Sequence, residues 1–539
     1  MPRLRRSPVG HFLQALLTIG LVTPALLAQS PSTDYRDTIL AIQQQIQANH
    51  LDEAKIQANA ALKRYAANGG LENLLGIIAI QQGDARMAKL DFSSAIEHDP
   101  KLASAYLNLA RIYTQDADSS AADRTRAFQL YEKVVQLDPD NAEANFEAAT
   151  LLASEHKYQL SLDHLHRLER GAREQVGAEA LLCADEAALR DTAGATHAAQ
   201  ALAANRSLTE QDANSVFPAL RTARRADLID VIFSAVNQRQ PLSSPSLRIL
   251  GLAQEVEGKQ QLARATLEHV FEINPSDPEP LIDLTRIALA GKDYKGALGY
   301  LAHARSLRPN DASLSYEFSL ICLKLNLVGE ATRAISEAVK QAPDNPTYNF
   351  AMGTLASLAQ NPSQGLPYLL KYHTMRPNDQ AGVLALGAAY FRDKDFDNAR
   401  LWLRRCTDFP PTAAEAHYYL GRILRQENAL ETALAQLKQS DQIKPNQPEV
   451  LAETGLVYMQ MRDFDKAQHQ LEQALHLDPN SYSANFALLQ LYATRHDPRR
   501  ADQAKKFDEI KGENDEQYQK AMRVLEIHPV SVAENQVLQ

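Results

Sequence analysis

Apolar residues along this chain come in paired stripes at helical spacing. In 448–481, Leu451, Thr454, Gly455 and Tyr458 share one face, and Ala467, Leu471 and Ala474 share a second. The polar turn Arg462-Asp463-Phe464-Asp465 separates them, so the pattern predicts two amphipathic helices. Asp463 or Asp465 is placed to cap the second helix, and Pro479 to end it. The pattern recurs every 34 residues. Prolines stand at Pro275, Pro309, Pro343, Pro377, Pro411, Pro445 and Pro479, and alanines at Ala263, Ala297, Ala331, Ala399, Ala433, Ala467 and Ala501. Gly353, Gly387, Gly421 and Gly455 form a third series, with Gly251 and Gly76 in phase. Pro100 precedes Pro139 by 39, so one unit carries five extra residues, expected to bulge near 116–125. Fourteen units fit between Tyr35 and about Asp515.

The small residues have a steric purpose. Two helices that cross closely leave no room for a large side chain, and overpacking such a point costs about 1–3 kcal/mol. One helical pair cannot bury its stripes alone, whereas stacked pairs share a continuous core.

Leu386-Gly387-x-x-Tyr390, then Ala399-x-x-x-Leu403, then Pro411 resembles the tetratricopeptide repeat, with Val383 in the slot that the family fills with Trp. Leu75-Gly76, Ala88-x-x-x-Phe92 and Pro100 match it again. The resemblance implies an all-α, right-handed superhelical solenoid of about fourteen helix–turn–helix repeats. It also implies that the first helices line a concave groove that binds peptides or protein segments. By that resemblance Tyr316, Phe350, Leu384 and Tyr418 form one groove-facing row, and Arg286 and Arg422 another, joined by Arg392 and Arg425. An aromatic row flanked by arginines suits an extended acidic segment. The bland alternative is ordinary packing between neighbouring first helices. No Lys/Asn set marks the family's clamp for a C-terminal carboxylate.

Departures from the pattern divide the chain further. Unit 210–243 is degenerate: Phe217 and Pro218 fall where a small residue and a helix interior belong, and Ile229 takes an alanine slot, so a kink is expected. Units 142–175 and 176–209 have Arg173 and Ser207 in place of the terminal proline. The expected organisation is an N-terminal array over 35–209, the kinked unit 210–243 with a seam near 171–243, a regular array over 244–515, and a capping helix and loose tail over 516–539.

The start of the chain reads differently. Arg3, Arg5 and Arg6 precede an apolar run from Phe12 to Val22 and then Ala25-Leu26-Leu27-Ala28, the form of a secretory signal peptide over 1–28, followed by a linker over 29–34. The apolar run is shorter than the ~20 residues a membrane span needs. The expectation is an exported chain, in the periplasm, with no membrane span once processed; release outside the cell and an uncleaved signal anchor are the alternatives. Net charge is −10, and the first 28 residues carry three arginines and no acid. That sign argues against nucleic acid as a partner.

No catalytic constellation emerges, so no enzyme activity, cofactor or metal is expected. Gly251 to Gly258-Lys259 has the wrong spacing for a phosphate loop, and Gln260 replaces the Ser/Thr. Asp393-x-Asp395-x-Asp397 begins like a calcium loop, but Asn398 and Arg404 stand where Gly and Glu are required, so a capped turn is the better reading. Cys183, Cys322 and Cys406 fall on inner stripes, as small apolar residues do. His164 and His166, two apart on a helix, point in different directions. The sequence therefore predicts an exported protein-interaction scaffold that binds a protein or peptide segment, acidic in character. It resembles exported proteins of envelope assembly or polysaccharide export, and a module that binds anionic polysaccharide is the alternative.

Overall fold

The computed structural model describes residues 33–115, 120–358 and 362–511. The expected signal segment 1–28 and tail 516–539 lie outside the described residues. Among those described there are 29 α-helices and no strand. They pair as fourteen successive hairpins, from Thr33–Gln47 with Leu51–Arg64 to Tyr482–Thr494 with Arg500–Lys511. The extra helix, Arg170–Arg173, stands between the fourth and fifth hairpins. The fold is the all-α superhelical repeat that the resemblance implies, built from the paired helices that the periodicity predicts.

Six of the hairpins close on a glycine, at Gly76, Gly251, Gly353, Gly387, Gly421 and Gly455. A Cβ built on Gly421 would lie 2.8 Å from Leu437 and 3.3 Å from the Ala433 carbonyl oxygen. Gly353, Gly387 and Gly455 meet Leu369, Leu403 and Leu471 at 2.6–2.7 Å, and Gly76 meets Phe92 at 2.5 Å. In each case the partner lies sixteen residues on. Real Cβ atoms do not approach so closely, so glycine at these points sets the distance between the two helices.

The first helices also end alike. Arg190, Arg224, Gly258, Lys292 and Asn326, at 34-residue steps, adopt φ of +58° to +74°, and Lys394, Asn428, Arg462 and His496 continue the series. The next residue donates its N–H to a carbonyl five residues back, as Arg225 does to Leu220 and Asp463 to Tyr458, both at 2.9 Å. This satisfies a helix-end carbonyl that would otherwise be orphaned. A non-glycine residue held this way costs about 1–2 kcal/mol. Asp463, Asp395 and Asp191 then cap the second helices through their carboxylates. Asp465 instead pairs with Arg495 at 2.8 Å.

Neighbouring hairpins are stitched at the prolines. Asn145, Asn349 and Asn485 share one repeat position, are fully buried, and each donates to the carbonyl of the proline six residues earlier, at 2.9, 2.7 and 3.0 Å. Where that proline is missing, an arginine takes over. Arg173 donates to the carbonyls of His166 and Leu168, and Arg239 to those of Ala203 and Asn205. Both close helix ends that a proline would have stopped.

The structure corrects two expectations. The five inserted residues do not simply bulge: helix Ala121–Leu137 has 17 residues where Ala85–His98 has 14, so three of them lengthen the helix, capped by Ser120 and Asp123. Residues 116–119 lie outside the described ones. The middle of the chain is no seam either. One apolar cluster runs from Ala149 to Val270, with Ile229 and Phe233 buried and Phe217 edge-on to Phe233 at 6.3 Å between ring centres. Pro218 lies inside helix Glu210–Thr222, which continues on both sides of it. The larger apolar residues of unit 210–243 continue the core through it. The chain instead divides into two compact units at Ile273 and Asn274.

These crossings make one comparison decisive. Gly421→Leu should overpack the contact with Leu437 and destabilise the protein by about 1–3 kcal/mol, with hydrogen-exchange protection lost over 413–440. Gln439→Leu, on the exposed side of the same hairpin, should leave protection unchanged.

Candidate functional site

The first helices of the second compact unit carry every residue of the candidate groove. Tyr316 lies in Ala312–Lys324, Phe350 in Pro346–Ser357, Leu384 in Gln380–Arg392, and Tyr418 in Pro410–Gln426. All four are buried, at 2–7% exposure. Tyr316 packs on Tyr348 and Phe350 on Tyr372, both at 5.0 Å between ring centres, and Tyr418 packs on Tyr419 at 5.4 Å. Desolvation pushes the Tyr316 hydroxyl up to about 12. Tyr316 thus packs against the next first helix, Phe350 against the second helix of its own hairpin and Tyr418 beside its chain neighbour, so the row belongs to the core. Of the two readings of this row, a contact surface or ordinary packing, its burial supports packing.

The arginines fare differently. Arg422 lies over the rings of Phe391 at 4.7 Å and Tyr418 at 5.4 Å, and its Nε is 3.7 Å from Glu453 Oε2. Arg425 donates through Nε to Glu453 Oε1. Arg392 donates to the Tyr419 hydroxyl at 3.1 Å, with its guanidinium carbon 5.9 Å from that ring. All three side chains stay partly open, whereas Glu453 is 5% exposed. Arg286 is not part of this group. It pairs with Asp283 on its own helix, Glu279–Ala290, at 3.1 Å. The structure thus gathers Tyr418, Arg392, Arg422 and Arg425 with Leu384 beneath, and leaves Arg286, Tyr316 and Phe350 elsewhere.

Sequence reasoning missed Phe391, Tyr419 and Glu453, which complete the cluster. It also missed Arg111 of the first unit, which forks onto Glu143 with Nε at 2.6 Å. The signal was available: counting the five inserted residues, Arg111 falls at the same repeat position as Arg286 and Arg422. These three positions each pair with an acid. A matching row of acids holds Asp283, Glu317 and Glu453. Asp283 and Glu453 have arginine partners, whereas among the described residues no cation pairs with Glu317. Burial pushes the Glu317 carboxyl up to about 6, with Asp311 adding to the rise.

The remaining sequence candidates are structural. Asp395 caps helix Phe396–Arg404, Asp393 ends the helix before it, and Asp397 pairs with Arg400 at 3.2 Å. Cys183, Cys322 and Cys406 are buried free thiols, pushed up to about 12, 11 and 11 by desolvation. His164 is buried between Asn145 at 3.1 Å and Glu132 at 3.0 Å, and His166 is exposed.

The family models that match this chain agree with its repeat architecture. Two family models, each described as tetratricopeptide repeat, match residues 448–481 and 407–448. The RNA polymerase-associated protein CTR9 of Caenorhabditis elegans is 24% identical over 245 residues, 44% of this chain and 21% of the relative. The uncharacterized protein ycf37 of Pyropia yezoensis is 30% identical over 105 residues, 18% of this chain and 56% of the relative. The chain thus spans less than two thirds of each. Among solved structures, yeast Tom70 aligns over 92% of this chain and 95% of its own at 16% identity, with a TM-score of 0.33. A tetratricopeptide repeat protein from Parabacteroides merdae aligns over 46% of this chain and 98% of its own at 13% identity, with a TM-score of 0.39.

Glu317 yields a pH test. Its folded value, about 6, exceeds the unfolded value of 4.5. The folded state therefore binds the proton more tightly. This contribution is fully present below pH 4.5 and is lost as pH rises through about 6. Glu317→Gln should make the fall of the urea midpoint between these pH values shallower than in the wild type, and an unchanged slope would show that Glu317 is not desolvated.

Proposed function

We propose that this tetratricopeptide-repeat protein is a non-enzymatic scaffold that holds an acidic segment of a partner protein against Arg392, Arg422 and Arg425. Repeats of this family make a scaffold for protein partners the natural reading. The observation that carries the site is Arg392, a partly open guanidinium whose bond goes to a tyrosine hydroxyl and not to a carboxylate, set beside two further arginines. A carboxylate arriving there gains charge-assisted hydrogen bonds and the guanidinium faces remain stacked on rings. In a chain with net charge −10, such a local group is where an anionic segment is drawn.

The reading includes export. The basic start at Arg3–Arg6, the apolar run Phe12–Val22 and Ala28 support a cleaved signal and a periplasmic setting, in envelope assembly or polysaccharide export. N-terminal sequencing of exported material should begin near Gln29, and an intact Met1 in the cytosolic fraction would end this part of the proposal.

Glu453 dictates how the site is tested. Reversing Arg422 and Arg425 to Glu would leave three carboxylates together, one of them buried, and would harm the fold itself. Replacing Arg392, Arg422, Arg425 and Glu453 together by Gln removes the positive cluster without stranding a charge. A displayed random-peptide library selected on the whole chain should enrich Asp- and Glu-rich peptides. The four-fold Gln variant should bind the selected peptide about tenfold or more weakly, with less dependence on salt. Equal affinity in a variant of wild-type helicity would move the contact off this face. Preference for polygalacturonate over any peptide would favour the polysaccharide alternative.

A further inference from the structure

In the first compact unit, the turns of two successive hairpins border a half-open hollow of about 650 Å³, with Arg190, Asp191 and Thr192 from one and Arg221, Arg224 and Arg225 from the next in its lining. That volume suits a small molecule rather than a single ion. Four of the nine lining residues are arginines.

Three of these four charges are not consumed locally. Arg225 is the anchored one: it forks onto Asp227 at 2.8 and 2.7 Å and reaches back to the Thr192 carbonyl at 3.3 Å and the Thr196 hydroxyl at 2.7 Å. It thereby ties the two hairpins together and fixes one wall. Among the described residues, no acid pairs with Arg190, Arg221 or Arg224, and none of their side chains has a hydrogen-bond partner. Two of the acids nearby are already engaged. Asp191 accepts from the backbone N–H groups of Ala193 and Gly194 as a helix cap, and Asp227 is held by Arg225. Glu186 faces Asp191 and His197, and Glu257 lies toward Arg225 and Lys259.

Helix dipoles do not account for the arginines. Each turn joins the C-terminal end of one helix, about half a negative charge, to the N-terminal end of the next, about half a positive one, so the two nearly cancel. Backbone geometry does explain the convergence. Arg190 and Arg224 occupy the same left-handed turn position one repeat apart, at φ +60° and +58°, so stacking the hairpins brings both to one edge. Arg221 sits one helical turn before Arg224.

We propose that this hollow binds a soluble oligo-anion bearing phosphate or sulfate groups, independently of the arginine cluster of the second unit. Guanidinium forks match tetrahedral oxyanions in a bidentate manner, and several such groups on one small molecule would neutralise three arginines at once. A monovalent carboxylate would leave most of this charge unmatched.

Isothermal titration of the full chain with tripolyphosphate and, separately, with sucrose octasulfate tests it. At least one probe should bind saturably at one site per chain, more weakly as salt rises, and the tighter probe identifies phosphate or sulfate as the preferred group. Arg190→Gln with Arg224→Gln should weaken binding about tenfold or more, with an unchanged helix signal, because neither side chain holds the fold. Arg462→Gln is the control: it shares the turn position but its neighbours in the adjacent repeats are Asn428 and His496. No saturable binding of either probe, or an equal loss in the Arg462 variant, would overturn the proposal.

Discussion

The tightest constraint in this molecule is the crossing of the two helices within each hairpin. Gly421 over Leu437 and its counterparts leave less than 3 Å for any Cβ, so the distance between the helices is fixed by what is missing from one of them. Everything else inherits that distance. The leucine sixteen residues on fills the space, the alanine at the second helix's inner face completes it, and the next hairpin finds a flat apolar stripe to cover.

This economy decides what remains for recognition. Large residues on the inner faces of first helices, such as Tyr316, Phe350 and Tyr418, are buried against other core side chains and give little surface to a ligand. Charged residues one position further round cannot be buried without partners, so they stay at the margin and pair along the row of first helices. Arg111 with Glu143, Arg286 with Asp283, and Arg425 with Glu453 are three solutions to the same problem. Glu317, with no such cation, answers it by holding its proton more tightly.

The turns obey a different logic. Their backbone is fixed by the left-handed residue and the bond that follows it, yet their side chains contribute little to the shared core. A turn position therefore accepts Gly, Asn, His, Lys or Arg at a modest cost. Variation there changes surface chemistry without loss of the fold, which is why two arginines can recur one repeat apart and converge at one edge.

The 34-residue period, read from prolines, alanines and glycines, determined the helical hairpins, their number and the capping turns at Asp395 and Asp463. Those features are set by residues near in sequence or repeated at a fixed interval, and a pattern along the chain records both. The sequence left Tyr316, Phe350 and Tyr418 open between groove surface and packing, and it could not show Glu453 as the shared partner of Arg422 and Arg425. Nor did it reveal the left-handed turn residues, because only Gly83 and Gly258 among them bear the expected glycine. Burial and ion pairing depend on which face of one repeat meets the next. That orientation comes from packing summed over many contacts, so only the tertiary structure decides it.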